Sequence, residues 1–159
     1  MIQMANYDLT KIIPQRFPMI FLSDIDSFDY ENQVLISRVD IRDTDLLFDK
    51  NLGGVPSWAS LEFMAQSIAA CVGLNDLREK TDASPAVGFI LGSRKISVFV
   101  PVYLVNKSYF VHVKSMFCDN NIASFDCQIF DADNNVVAAG ALNAFRPDDI
   151  TEFMEVRHE

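Results

Sequence analysis

A chain of 159 residues, half of them apolar and 13 of them phenylalanine, is long enough to close one hydrophobic core and too apolar to remain disordered. Its net charge of −9 and pI near 4.6 repel phosphate backbones, and no basic stripe interleaved with aromatics offsets this, which excludes nucleic-acid binding. No run approaches the roughly 20 apolar residues of a membrane span, and the opening MIQMANYDLTKII lacks the basic-then-apolar order of a signal peptide. A cytoplasmic protein with no membrane role is expected, its cysteines Cys71, Cys118 and Cys127 reduced and buried within apolar stretches.

One domain is expected over residues 1–159, with its core from about 8 to 147 and neither repeat nor linker. Tyr7 to Ile13 predicts a short helix stopped ahead of Pro14, because the residue before proline avoids the helical region. Phe21 to Tyr30 and Gln33 to Ile41 predict two strands about a tight turn at Glu31-Asn32, followed by a polar loop from Asp43 to Gly54. Pro56-Ser57 then starts the dominant element, since proline suits a first helical turn and serine caps free amides. From Trp58 to Val72 the residues are apolar nearly all round, the pattern of a helix buried on every side; beyond Gly73 it turns polar. Such a helix needs something to surround it. Strands follow: Val87 to Phe99, one within Tyr103 to Cys118, Ile122 to Asp131 and Val136 to Phe145. A three-residue loop at Asp119-Asn120-Asn121 is expected, because it places Phe117, Val113 and Val111 on one face with Ala123, Phe125, Cys127 and Ile129. The order β-β-α-β-β-β-β predicts an α+β fold, an antiparallel sheet wrapped around one long central helix. The tail from Pro147 is polar and expected to fray.

Glu62 is the only acidic or basic side chain, the Cys71 thiol aside, between Trp58 and Gly73. Two readings stand. A carboxylate near the positive end of a helix is stabilising in its own right; a carboxylate buried there is a general acid or base with a raised pKa. At helical spacing Glu62, Gln66, Ala69 and Gly73 share one stripe, which suits either a narrow channel or the close approach of a neighbouring backbone. The helix start at Gly53, Gly54 and Pro56-Ser57-Trp58 places free amides beside Glu62, where they can polarise a carbonyl. Gly88 and Gly92 punctuate the third strand, as bulges or ligand approaches do. His112 falls on the strand face opposite the apolar set and is expected at the surface; His158 lies in the tail. Neither histidine has neighbours at metal-ligand spacing, so no metal site is expected. No Ser motif or Gly-rich loop marks a nucleophile elbow or phosphate cradle.

Ile13-Pro14-Gln15-Arg16-Phe17-Pro18-Met19, Gly54-Val55-Pro56-Ser57-Trp58, Glu62-Phe63-Met64-Ala65-Gln66 and Gly88-Phe89-Ile90-Leu91-Gly92-Ser93-Arg94 resemble, in order, segments of the hotdog-fold 3-hydroxyacyl-(acyl carrier protein) dehydratases. Within that family the resemblance is to the branch associated with aryl-polyene pigment pathways. It implies a hotdog fold and a dimer joined through the third strands, with active sites between protomers. It also implies a tunnel along Glu62 and Gly88–Gly92 that receives an acyl chain on the phosphopantetheine arm of acyl carrier protein, with no further cofactor. In such enzymes a histidine removes the proton beside the thioester, a helix carboxylate protonates the departing hydroxyl, and a helix-start amide holds the carbonyl. Here the position of the fatty-acid-type histidine falls at Phe48, and the histidine often found after the early proline is replaced by Gln15. Glutamine hydrogen-bonds but takes no proton at neutral pH. The carboxylate half of the machinery is present and the imidazole half is missing.

The expected site is therefore Glu62 as the catalytic group, with Gln66, Ser57, Trp58, Gln15, Phe48, Gly88 and Gly92 lining it. Arg16, Arg94 and Lys95 are the cations through which an acidic carrier protein would dock on this acidic chain. Three activities fit: a dehydratase-type subunit in fatty-acid or polyene biosynthesis, of weak or partner-dependent activity, a thioesterase using Glu62 to activate water, and a non-catalytic acyl- or carrier-binding subunit. A helix this apolar and a strand this rich in glycine predict association with a second copy or another hotdog subunit.

Overall fold

The computed structural model describes residues 7–155. Eight strands and two α-helices follow in the order β1 (Asp24–Asp29), β2 (Val34–Asp40), β3 (Gly54–Pro56), α1 (Ser60–Glu79), β4 (Phe89–Val98), β5 (Val102–Leu104), β6 (Ser108–Asp119), β7 (Ile122–Phe130), β8 (Val136–Phe145) and α2 (Ile150–Glu155). Six strands form one antiparallel sheet ordered β1-β2-β6-β7-β8-β4, and β3 and β5 make a small pair beside it. This is the hotdog arrangement of one long helix held by a curled antiparallel sheet.

The alternation along β2, β6 and β7 explains which face holds the helix. Leu35, Val39, Val111, Val113, Phe125, Cys127 and Ile129 point inward and are buried, and they meet Phe63, Met64, Ile68, Cys71 and Leu74 of α1. Each large side chain removed from water in this layer contributes about 1.5–3 kcal/mol. Ser37 and Ser67 form the polar exception, their hydroxyls 2.7 Å apart, with Ser67 also donating to the carbonyl of Phe63. Gly73 lets the N-terminal segment lie against the helix: a Cβ there would stand 2.1 Å from the carbonyl oxygen of Ile12.

Several expectations are corrected. The helix expected at Tyr7 to Ile13 is a single 3-10 turn, Leu9–Lys11, because Asp8 takes both the amide and the hydroxyl of Thr10. Strand β1 begins at Asp24 rather than Phe21, since the Phe21 amide donates to a helix side chain instead of a strand. The stretch from Tyr103 to Cys118 is two strands, broken where Asn106 takes a left-handed turn at φ 62°. The β6–β7 connection is a two-residue turn at Asn120-Asn121, with Asp119 paired to Ile122. A bulge between Ser115 and Phe117 then shifts the register by one, so Val113 meets Cys127 and Val111 meets Ile129 as the apolar pattern requires. Phe117 pairs with Ser124 and is exposed, outside the core set. Cys118 is exposed as well, while Cys71 and Cys127 are buried and all three are free.

The tail carries a short helix over Ile150–Glu155. Asp149 accepts from the amides of Thr151 and Glu152 and starts α2, whose Phe153 stacks on Phe89 and Phe145 at centroid distances of 5.2 and 5.7 Å. Helix α1 is not covered on every side. Trp58 and Leu61 at its start are 66% and 41% exposed, and Glu62, Ala65, Ala69 and Val72 form a half-buried stripe. The sheet of one chain wraps only the rest of the helix. No helix among the described residues is long and apolar enough to cross a membrane.

Candidate active site

Glu62 stands in the first turn of α1, at the end approached from β3. Gly54 makes that approach possible, since a Cβ there would fall 2.0 Å from the carbonyl oxygen of Tyr103 on β5. Ser57 donates its amide to the carbonyl of Pro101, and no side chain caps either the 3-10 turn Ser57–Ala59 or the helix after it. The Ser57 amide is thus taken by Pro101 and the Ser60 amide by the Ser57 carbonyl, and the exposed Trp58 lies between them, on the same end of the helix as the carboxylate.

Gln66 is fully buried one turn later, and its amide is fully used. Nε2 donates to the Met19 carbonyl at 2.7 Å and to Glu62 Oε1 at 3.0 Å, while Oε1 accepts from the Phe21 amide at 2.9 Å. Gln66 thus clamps the segment around residues 19–21 onto α1 and fixes one oxygen of Glu62. The other oxygen, Oε2, receives no hydrogen bond from the described residues. A half-buried carboxylate with one oxygen held and one free is oriented for proton transfer.

Beyond Glu62 the stripe of α1 borders an apolar cavity of about 110 Å³, lined by Pro14, Gln15, Ala65, Ala69, Gly88 and Phe89 among others. At 1.5 Å per residue, the stripe carries from Glu62 to Val72 over about 15 Å. Gln15 and Gly88 are thus brought to one cavity with the helix stripe that bears Glu62. Phe48 lies half-buried in the loop ahead of β3, its neighbour Asp49 exchanging backbone hydrogen bonds with Gly54. Gly92 sits on β4 beside a bulge with nothing within 4 Å of its missing Cβ, facing open space. Gly73, the far end of the helix stripe, is filled by the chain's own Ile12 backbone.

The three cations are all exposed, with Arg94 and Lys95 adjacent on β4 and Arg16 far from them in sequence. Arg16 donates to the carbonyls of Ile13 and Gln15, and Arg94 and Lys95 on β4 form no ion pair among the described residues. His112 is on the outer sheet face, as expected from its strand, but half-buried against the Phe130 ring at 4.5 Å, and burial pushes its pKa down. It faces away from α1, so no imidazole among the described residues serves the Glu62 site; His158 lies outside those residues. Among the described residues no group of three or more His, Cys, Asp or Glu is arranged to hold a metal.

Sequence reasoning did not single out Ala65, Val72 or Phe89 as lining residues. The small-residue positions at helical spacing from Glu62 were the available signal. The two segments that close the cavity, residues 14–15 and 86–90, come from distant parts of the chain.

Residues 7–155 match the ApeP-like family, described as ApeP dehydratase. No curated protein is similar enough in sequence to match. Among solved structures, a chain of the dehydratase heterocomplex ApeI:P from Xenorhabdus doucetiae is similar at a TM-score of 0.84 and 23% identity, covering 95% of this chain and 97% of that one. The PaaI protein of the phenylacetic acid degradation operon of E. coli is similar at 0.57 and 11% identity, over 78% of each chain. A hypothetical thioesterase from Streptococcus pneumoniae, solved with coenzyme A, is similar at 0.58 and 10% identity, over 78% of this chain and 84% of that one. At these identities the structures show the shared fold.

Proposed function

The chain belongs to the ApeP-like dehydratase family, and on that premise we propose that it is the carboxylate-bearing half of a two-subunit dehydratase for 3-hydroxyacyl thioesters on acyl carrier protein. The observation that carries this reading is Glu62, held at one oxygen by Gln66 and open at the other, on the helix whose Ala65 and Ala69 line an apolar cavity, with no imidazole beside it among the described residues.

Dehydration removes a proton from the carbon next to the thioester carbonyl and expels the 3-hydroxyl as water. Glu62 serves as the general acid, giving a proton to the departing hydroxyl. A helix-start amide, such as that of Trp58, donates to the carbonyl oxygen as negative charge develops there. The remaining role, base toward the carbon acid, falls to a histidine on a second hotdog subunit. A dehydratase heterocomplex among the similar structures supports such a pairing. The unpaired outer edge of β4, with exposed Trp58, Leu61, Val98 and Phe99 near the helix start, supplies an apolar surface for that subunit. Arg16, Arg94 and Lys95 would receive the acidic carrier protein, whose phosphopantetheine arm belongs to the substrate and is no resident cofactor. Three free cysteines suit a cytoplasmic setting.

The test is incubation with 3-hydroxyacyl and 2-enoyl carrier-protein thioesters, alone and with a histidine-bearing hotdog partner, with mass detection of water loss, water addition and hydrolysis. The isolated chain should turn over slowly, the pair should dehydrate, and Glu62→Gln should cost about 10²–10⁴-fold. Hydrolysis as the main outcome would replace the dehydratase by a thioesterase. Full activity in Glu62→Gln would show the site to be elsewhere.

A further inference from the structure

Tyr103 on β5 reaches the start of α1 from inside the protein. Its side chain is fully buried, and its ring packs against those of Phe63 at 5.2 Å and Tyr109 at 4.7 Å. Its hydroxyl meets Oγ of Ser60, which is also buried, and Ser60 Oγ in turn meets the carbonyl oxygen of Ser57. A carbonyl only accepts and a serine hydroxyl carries one hydrogen, so the direction is settled: Tyr103 donates to Ser60, and Ser60 donates to Ser57. Burial pushes the Tyr103 phenol up to about 12, which keeps it a donor at any working pH. The Ser57 carbonyl also accepts from the Ser60 amide, the bond that closes the 3-10 turn. A second donor on the same oxygen, backed by a buried phenol from another strand, is more than the turn requires.

The Ser57 carbonyl and the Trp58 N–H belong to one peptide unit. That unit is trans, the cis bond of the described residues being at Phe17-Pro18, so its N–H points opposite to its carbonyl. Whatever fixes the Ser57 oxygen therefore aims the Trp58 N–H out of the helix start. Among the described residues that N–H meets no acceptor. We infer that Ser60 and Tyr103 are positioning residues for the Trp58 amide, holding the Ser57–Trp58 peptide plane so that its N–H is already aimed when charge develops on a thioester carbonyl. This rests on the reading of the chain as a dehydratase subunit and adds two residues to its machinery. Both are too deeply buried to touch substrate and act only through the peptide unit. Two buried polar side chains of α1 then flank Glu62 with matching tasks. Gln66 fixes the carboxylate from one turn later, and Ser60 fixes the amide from two residues before. Donors held in advance need no reorganisation as the charge appears, and a peptide plane left to rock loses part of that advantage.

The test is a double-mutant cycle of Ser60→Ala and Tyr103→Phe in the paired subunits, reading kcat, KM and melting temperature together. Ser60→Ala strands the Tyr103 hydroxyl and should lower both stability and kcat. The double variant removes the stranded hydroxyl and should melt within about 3 °C of the parent. A structural role predicts that kcat returns with stability. A positioning role predicts that kcat stays about ten- to hundredfold down with KM within about twofold, because the contact operates in the transition state. Tyr103→Phe alone keeps the ring and the Ser60 bond to Ser57, and should lose about three- to tenfold in kcat. It decides the matter if the double variant melts no higher than Ser60→Ala. Infrared spectra of a bound enoyl thioester labelled at its carbonyl carbon supply a second readout. The carbonyl stretch, lowered in the parent by the Trp58 amide, should lie higher in each variant. Recovery of kcat in the double variant, unchanged kcat in Tyr103→Phe, a KM rise that accounts for the loss, or an unmoved carbonyl stretch would overturn the inference. Where the wild-type pair dehydrates in a Glu62-dependent way, these outcomes fall on the inference alone. A wild-type pair that does not do so defeats the functional reading and the inference with it.

Discussion

Replacing Gln66 by leucine keeps its volume nearly intact and strips three partners at once. The Met19 carbonyl and Phe21 amide lose their hydrogen bonds to α1, and Glu62 loses the donor that orients it. Unsatisfied groups of this kind carry a larger penalty than the mean hydrogen bond is worth. Gln66→Leu should therefore lower stability by about 2–3 kcal/mol in urea unfolding, with activity falling alongside. The pairing of Glu62 with Gln66 was legible, because four residues on a helix is one turn. The clamp was not, because residues 19–21 lie more than 40 positions away and no periodicity records the contact. His112 was legible as outward-facing, but its ring contact with Phe130 depends on the β6–β7 register. Burial lowers its folded pKa below the ordinary 6.5, so the unfolded chain binds the proton more readily. Its contribution to stability is fully present above about pH 6.5 and is lost as pH falls through that value toward the lowered folded pKa. Denaturant titrations at stepped pH should show this decline in the wild type and a flatter profile in His112→Gln.

At the scale of elements, the β6–β7 hairpin shows how far an alternating pattern reaches. The requirement that Val111 and Val113 face Ile129 and Cys127 determined the pairing over most of the ladder, and that pairing is present. It did not determine the connection, because a three-residue loop and a two-residue turn with one bulge produce the same register beyond Ser115. Helix α2 escaped notice because six residues with mixed polarity carry little periodic signal, and its placement depends on Phe153 finding Phe89 and Phe145. Gly73 is a clearer case of sequence pattern with an unforeseen partner. Its small size was read as room for a channel or a neighbouring backbone, and the backbone proves to be Ile12 of the same chain. Gly73→Ala should force the segment carrying Ile12 and Ile13 off the helix at a cost of about 1–3 kcal/mol or more, read as a lower melting temperature. Since Gln15 follows directly, cavity binding should weaken in the same variant.

The whole molecule is marked by where its apolar surface remains uncovered. Phe99 is 63% exposed and Trp58 66% exposed, and both stand by the helix start, where Ser57 is tied to Pro101 and Phe99 to Val137 on β8. Strand β4 ends the six-stranded sheet with one edge unpaired, and its middle residues Leu91 to Lys95 are exposed. A free edge and a large exposed aromatic pair are expensive to leave in water and are hazards for non-specific pairing. Trp58 stands four residues before Glu62, about one helical turn, so a partner that covers it lies over the same end of α1. If the covering partner is the histidine-bearing subunit proposed above, surface charge introduced there should separate assembly from folding. Trp58→Glu and Phe99→Lys each replace a side chain the protomer does not bury, so each should unfold within about 0.5 kcal/mol of the parent chain. At the interface the same changes remove an aromatic anchor and insert an unpaired charge, a loss of about 2 kcal/mol or more, or some thirtyfold in dissociation constant. Sedimentation velocity with the partner subunit should show the complex dissociating at micromolar concentration in either variant, and dehydration should fall with the fraction assembled. Retained assembly with both charges in place would move the partner to another face of the sheet and leave Glu62 open to solvent.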